Sequence, residues 1–292
     1  MAYPTDASAL TSPIRSFIQS IHSEFIALDN LVRTDFATHF AAAVAAHRGS
    51  AFLEGDTLNA LTMHTDGRIS VTWAPFDHIF TDARLVVVGI TPGRQQAENA
   101  LAAFKQAIAA GASPAEASRR AKYVGAFSGP IRNNLAAMLD RIGVQSLLGV
   151  RSGADLFSPG PELVHFTSAL RHPVLVNGKD YNGTPDMLGT PALRQQIETH
   201  LAEEARALPS ALWLPLGPKP VPAVRHLATR GLIDPERILE GLPHPSGANG
   251  ERVAYFLGRK ERAELSTKTR PEPLDEARER LTAQITRLRL AA

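Results

Sequence analysis

Two short loops hold the residues most capable of chemistry. The first is His244-Pro245-Ser246-Gly247-Ala248-Asn249-Gly250, a histidine fixed by proline on a glycine-flanked turn. A histidine so placed is poorly explained by core packing. It could donate a hydrogen bond to an anionic leaving group, while the serine and backbone amides grip a phosphate. The plain alternative is a turn with an incidental histidine. The second loop is Gly89-Ile90-Thr91-Pro92-Gly93-Arg94. Glycine permits close backbone approach to a ligand and proline stiffens the turn. It fits neither the Walker phosphate pattern nor the dinucleotide fingerprint, and a generic strand-to-helix turn is an equal reading.

Regular elements must hold these loops. Leu85-Val86-Val87-Val88 is a continuous apolar run ending at Gly89, the mark of a strand buried on both faces of a parallel sheet. Further strands are expected at Leu163–Thr167, Ala211–Leu216 and Arg237–Leu239, with a short alternating strand at Arg68–Trp73. Apolar residues at three- and four-residue steps predict helices over 12–48, 95–110, 114–122, 131–142, 191–208, 221–229 and 274–290. Ser113-Pro114-Ala115-Glu116 has the form of a capping box with proline at the first helical position. Strands alternating with helices imply a parallel sheet flanked by helices, with ligands outside the carboxyl ends of the strands. The expected division is a helical extension over 1–75, a core over 76–265, and a linker and helix over 266–292.

Composition narrows the chemistry. The 292 residues contain no cysteine, which excludes disulfides, thiolate zinc sites, cysteine-ligated clusters and a thiol nucleophile. The ten histidines show no HExxH pair, so neither metal nor cofactor is expected. No apolar run reaches the ~18 residues of a membrane span, and Met1–Ser12 lacks the basic and apolar stretches of a secretory signal. A cytoplasmic location is the expectation. The net charge of +2 says little about nucleic acid without local clustering.

Taken together and in this order, the two loops resemble the signature motifs of the uracil-DNA glycosylase superfamily. Gly89–Gly93 is similar to its GxxPG loop, and His244–Asn249 to its HPS loop. Tyr123-Val124-Gly125-Ala126-Phe127-Ser128-Gly129 followed by Leu135–Gly143, and Val164-His165-Phe166-Thr167-Ser168, resemble the segments between them. The resemblance covers roughly residues 76–260. It implies a three-layer α/β/α sandwich around a four-stranded parallel sheet, and a monofunctional enzyme that flips a base from DNA and hydrolyses its N-glycosidic bond. A monomer with DNA as its partner follows.

The resemblance also implies roles. His244 would carry the departing base's charge, and Tyr123 would stack on the flipped base, although a core aromatic is an equal reading. Ile90, Ser168 and Gln95 would contact that base. Ser246 and Asn249 would hold the DNA backbone, with Arg94 and Arg252 adding charge. Thr91 stands where relatives often carry Asp or Asn to position water. Water activation would then rest on Thr91 with backbone groups or on an acid elsewhere, with Glu98 and Asp180 as candidates.

Ser168 replaces the Asn that reads uracil, so a different and larger base is expected, with Gln95, Gln96 or Asn177 able to supply an amide. Enlarged loops at 95–122 and 172–190 agree with a changed pocket. The sharpest expectation is excision of glucosylated 5-hydroxymethylcytosine from phage DNA in antiviral defence. Repair of uracil or a related damaged base is the alternative, and a non-catalytic DNA-binding protein of the same fold is the reading from another class.

Overall fold

The computed structural model describes residues 35–158, 160 and 162–290. The expected helix over 12–48 is seen as Phe36–Ala46, and its part before residue 35 lies outside the described residues, as do residues 1–34 of the expected helical extension, whose described part holds two strands, Thr62–Asp66 and Ile69–Thr72, as well as helices.

The fold is mixed α/β. Strand β1 spans Thr62–Asp66, β2 Ile69–Thr72, β3 Leu85–Gly89, β4 Val164–Ser168, β5 Val174–Val176, β6 Lys179–Asp180 and β7 Leu212–Pro215. The parallel sheet runs β4-β3-β7, with Gly89 opposite Ser168 and Val88 opposite both Thr167 and Pro215. Alternation along β3 explains its uninterrupted apolar run. Val86 and Val88 face one core, packed by the helices Phe36–Ala46 and Arg94–Ala109. Leu85 and Val87 face a second core with Leu139, Phe256 and Leu281, from helices on the other side. Both faces are thus covered, as parallel sheets require.

The expected strand Arg237–Leu239 reduces to one parallel bridge between Ile238 and Trp213, with Leu239 N–H donating to Trp213 O at 2.8 Å. The reason is local. Pro235–Arg237 forms a 3-10 turn, and the Ile238 amide is spent on Pro235 O. The named parallel sheet therefore has three strands.

A second, antiparallel sheet runs β1-β2-β5-β6. Its last hairpin turns through Asn177 (φ 51°) and Gly178 (φ 73°), the left-handed pair of a two-residue hairpin. Strand β4 is unusual for a central parallel strand. Val164 and Phe166 face apolar neighbours, whereas His165 and Thr167 point to the opposite face and are buried. There His165 meets a buried ionic group of Lys122, Glu204 and Arg171.

Candidate active site

The carboxyl ends of β3, β4 and β7 open into a cavity of about 460 Å³, within the size of small-molecule sites. Both chemical loops reach it although about 150 residues separate them: Gly89, Ile90, Thr91 and Gly93 from one, His244, Ser246 and Asn249 from the other. Ser168, Phe127, Gln96, Asp180, Asn182 and Lys219 complete the wall. A deeper hollow of about 10 Å³, the size of one water, adjoins through Gln96, Phe127 and Ser168.

Backbone bonds fix the two loops to the sheet. Ala169 and Leu170 N–H donate to Gly89 O and Ile90 O at 2.8 and 3.0 Å. Beyond β7, Leu216 N–H donates to Val88 O, and Gly217 N–H to Leu242 O at 2.8 Å. Gly217 has φ 75°, and a Cβ there would lie 3.2 Å from His244 Cβ. Only glycine both adopts that backbone and lets the histidine loop come so close. Asn134 Nδ2 donates to Pro245 O at 3.0 Å, and Asn249 closes the loop through Ser246 O and Oγ. His244 itself is half-buried and its ring nitrogens have no hydrogen-bond partner among the described residues. Burial lowers its pKa, so at neutral pH the imidazole is uncharged, with one N–H to give.

Thr91 lines the cavity, but its hydroxyl is engaged with backbone groups. Its hydroxyl donates to His172 O at 3.0 Å and accepts from Val174 N–H at 3.2 Å. It pins the loop to the chain leaving β4. Glu98 is also committed, accepting from Phe52 and Leu53 N–H at 2.9 and 2.8 Å. Asp180 is the acid that reaches the cavity. The β5–β6 hairpin delivers it, and Arg94 N–H donates to its Oδ2 at 3.0 Å. A Cβ on Gly93 would sit 3.3 Å from that same oxygen, so this glycine makes room for the carboxylate.

The expected DNA-binding and base-binding residues divide. Arg94 spends its guanidinium on Leu53 O and Gly178 O, tying the hairpin to the loop. Arg252 donates to Asn249 Oδ1 and Lys268 O and lies beside the site rather than in it. Gln95 is exposed and bonds Asn99, while its neighbour Gln96 lines the cavity. Asn177 sits at the hairpin turn, outside the cavity wall. Ser168, Ile90, Ser246 and Asn249 all line the cavity.

Tyr123 is not at the cavity. It lies on the Pro114–Gly125 helix, its ring 4.9 Å from that of Phe80 and its hydroxyl donating to Glu162. Phe127, one turn further on, lines the cavity, as does Tyr181. The Phe127 ring lies 3.5 Å from where a Cβ on Gly89 would stand, and it packs edge-on against Phe166. Phe127 also holds φ 49°, a left-handed conformation costing a bulky residue about 1–3 kcal/mol and concentrated at ligand sites. Asn182, on the enlarged loop 172–190, and Lys219 also line the cavity. Lys219 is exposed on a loop whose composition gives no local signal.

Behind the site lies the buried ionic group. Arg171, which lines the deep hollow, bonds Glu204 and Glu203 at 2.9 Å and His200 O at 2.8 Å. Lys122 donates to Phe76 O and His78 O. Burial pushes Lys122 down to about 7, His165 down to about 4 and Asp77 up to about 6. Phe80 N–H donates to His165 Nδ1 at 3.3 Å, which assigns the ring proton to Nε2, facing Glu204 Oε2 at 3.5 Å.

Among the described residues no helix is long and apolar enough to cross a membrane, and no group of three His, Asp or Glu is arranged to hold a metal ion. No family model matches the sequence. No solved structure matches it. The chain is similar to the Bacillus subtilis (strain 168) protein YoxB, described as uncharacterized, with 31% identity over 205 residues, which is 69% of this chain and 80% of that one. At that identity and coverage, the chain belongs to the same family as YoxB.

Proposed function

We propose that the protein is a monofunctional DNA glycosylase of the uracil-DNA glycosylase kind, a cytoplasmic monomer that flips a modified base and hydrolyses its bond to the sugar. The observation that carries this reading is convergence: the Gly89–Gly93 and His244–Asn249 loops meet at one cavity, with Ser168 and Phe127 between them. The bridge of Ile238 to Trp213 lies where a fourth parallel strand would complete the superfamily's sheet.

The geometry supports the following roles. A flipped base stacks on Phe127 and presents its edge to Ser168 and Gln96. Uncharged His244 donates its N–H to the base as the glycosidic bond breaks and the bonding electrons leave with the base. The sugar's C1′ becomes cationic. Asp180 stabilises that charge and takes a proton from the water whose oxygen bonds C1′. The base anion is then protonated by solvent. Ser246 and Asn249 hold the flanking phosphates.

The pocket favours a base larger than uracil. Ser168 is small, the cavity is about 460 Å³, and Asp180, Asn182 and Lys219 line it with groups suited to hydroxyls. Glucosylated 5-hydroxymethylcytosine, as found in phage DNA, has the matching bulk and polarity, and its removal would serve antiviral defence. One observation favours a non-catalytic binder instead: the Thr91 hydroxyl is fully engaged with backbone.

Oligonucleotides carrying uracil, hydroxymethylcytosine or glucosylated hydroxymethylcytosine, treated with enzyme and then alkali, separate the readings. Cleavage at the glucosylated base, lost in His244→Ala, is expected. Cleavage at uracil returns the protein to repair. Binding to all three without cleavage supports the binder.

A further inference from the structure

A second and larger hollow, about 720 Å³, borders the site on the far side of His244. It shares Gly217, Pro218, His244 and Asn249 with the cavity already described, so the two adjoin. Its outer wall is the first turns of the Glu272–Leu290 helix, which is seated by buried Leu274, Ala277, Leu281 and Ile285. That helix touches the segment leading to His244 very closely. Gly241 holds φ 114°, and a Cβ there would lie 2.8 Å from Ala277 Cβ and from a guanidinium nitrogen of Arg280. Arg280 also donates to Glu240 O at 3.1 Å.

The chemistry of this groove is two-sided. Pro218, Val221 and Pro273 give it apolar surface over the buried Leu242 and Leu274. The Glu240 carboxylate is already held by Arg225 in two bonds of 2.6 Å. That leaves the guanidinium groups of Arg252 and Arg280 against one carboxylate, Glu276. An apolar face beside a cationic edge fits a nucleobase with its phosphate.

We propose that this groove receives the nucleotide adjacent to the flipped one on the same strand, its base against the Pro218, Val221 and Pro273 surface and its phosphate at Arg280 and Arg252. The inference rests on the glycosylase reading and deepens it. The C-terminal helix becomes part of the DNA-binding surface, and the strand passes over the His244 loop.

The test uses single-stranded oligodeoxynucleotides bearing one stable tetrahydrofuran abasic analogue, extended one nucleotide at a time on either side, with affinity read by fluorescence anisotropy on the full chain. Wild-type affinity should rise about five- to hundredfold at one added nucleotide on one side. Arg280→Glu should lose that step and lower the salt slope by about 0.7. Glu276→Trp, which fills the groove from an exposed helix position, should lose the step too, with thermal melting confirming that both variants fold. A wild type that binds the analogue with no step, or variants that keep the step, overturns the groove and leaves the glycosylase reading standing. Failure of the wild type to bind any of these oligonucleotides overturns both.

Discussion

Thr91 and Asp180 lie on neighbouring segments at the same cavity, yet their substitution should have opposite consequences. Thr91→Val keeps the shape and deletes the hydroxyl. Val174 N–H and His172 O then lose their partner, bonds of 3.2 and 3.0 Å. Leaving buried polar groups unsatisfied costs about 1–3 kcal/mol, which lowers Tm by about 2–12 °C at about 2–4 °C per kcal/mol for domains of 150–250 residues. Turnover below the melting range should change by no more than about threefold. Asp180→Asn keeps an oxygen to accept from Arg94 N–H and removes only charge and basicity. Its Tm should stay within about 2 °C, while the cleavage rate falls about 10²–10⁴-fold. Single-turnover cleavage on the preferred substrate, beside thermal melting of the same preparations, reads both. Abolished cleavage in a Thr91→Val protein of normal Tm, with Asp180→Asn fully active, would refute this assignment.

Three further outcomes can be measured. Phe127→Ala should weaken binding of the base-bearing strand by about 1–3 kcal/mol, whereas Tyr123→Phe should leave it unchanged; the reverse order in an anisotropy titration returns stacking to Tyr123. Burial lowers the His244 pKa below 6.5, so the uncharged donor prevails at and above that pH. The single-turnover rate should therefore hold steady from pH 8 through 6.5 and fall only in more acid solution, and a midpoint above 6.5 would contradict it. Lys122 titrates at about 7 when folded against an ordinary 10.5, among Glu204, Arg171, Asp77 and Glu203. Between those values the unfolded chain holds the proton and the folded chain releases it, so stability should rise with pH above about 7, by at most about 1.4 kcal/mol per pH unit. Urea midpoints from pH 7 to 9 should show that rise, and Lys122→Met should flatten it. Below pH 6.5, His165 at about 4 and Asp77 at about 6 oppose one another, His165 costing stability as the pH falls and Asp77 adding it.

The parallel sheet was legible because burial on both faces forces an unbroken apolar run, as at Leu85–Val88. The two loops were legible because glycine, proline and histidine occur together at strand ends. Of the antiparallel sheet only β2 was, within the alternating run Arg68–Trp73. β1 carries two exposed residues at its end and β6 is two exposed residues long, so neither shows a buried face to read. The role of Thr91 depends on backbone groups 81 and 83 positions away, which leave no trace nearby. Tyr123 was chosen over Phe127 because both lie in one aromatic and glycine-rich stretch. Packing decides between them: a Cβ on Gly125 would meet Ala100 Cβ at 2.7 Å, so the helix ends against its neighbour there and the next turn swings Phe127 to the cavity. At Arg237–Leu239 the apolar residues are present, but Pro235 commits the preceding backbone to a turn.

The β5–β6 hairpin carries a consequence for how this pocket changes over time. His244 and Phe127 stand on the parallel-sheet scaffold, whereas Asp180 and Asn182 arrive on a different sheet, latched to that scaffold by Arg94. The tip is exposed and its register is set by its own turn. Residues there can be replaced, inserted or lost without disturbing the buried strands that hold the histidine. The wall that Asp180 and Asn182 form is thus free to diversify at a pace the His244 loop does not share.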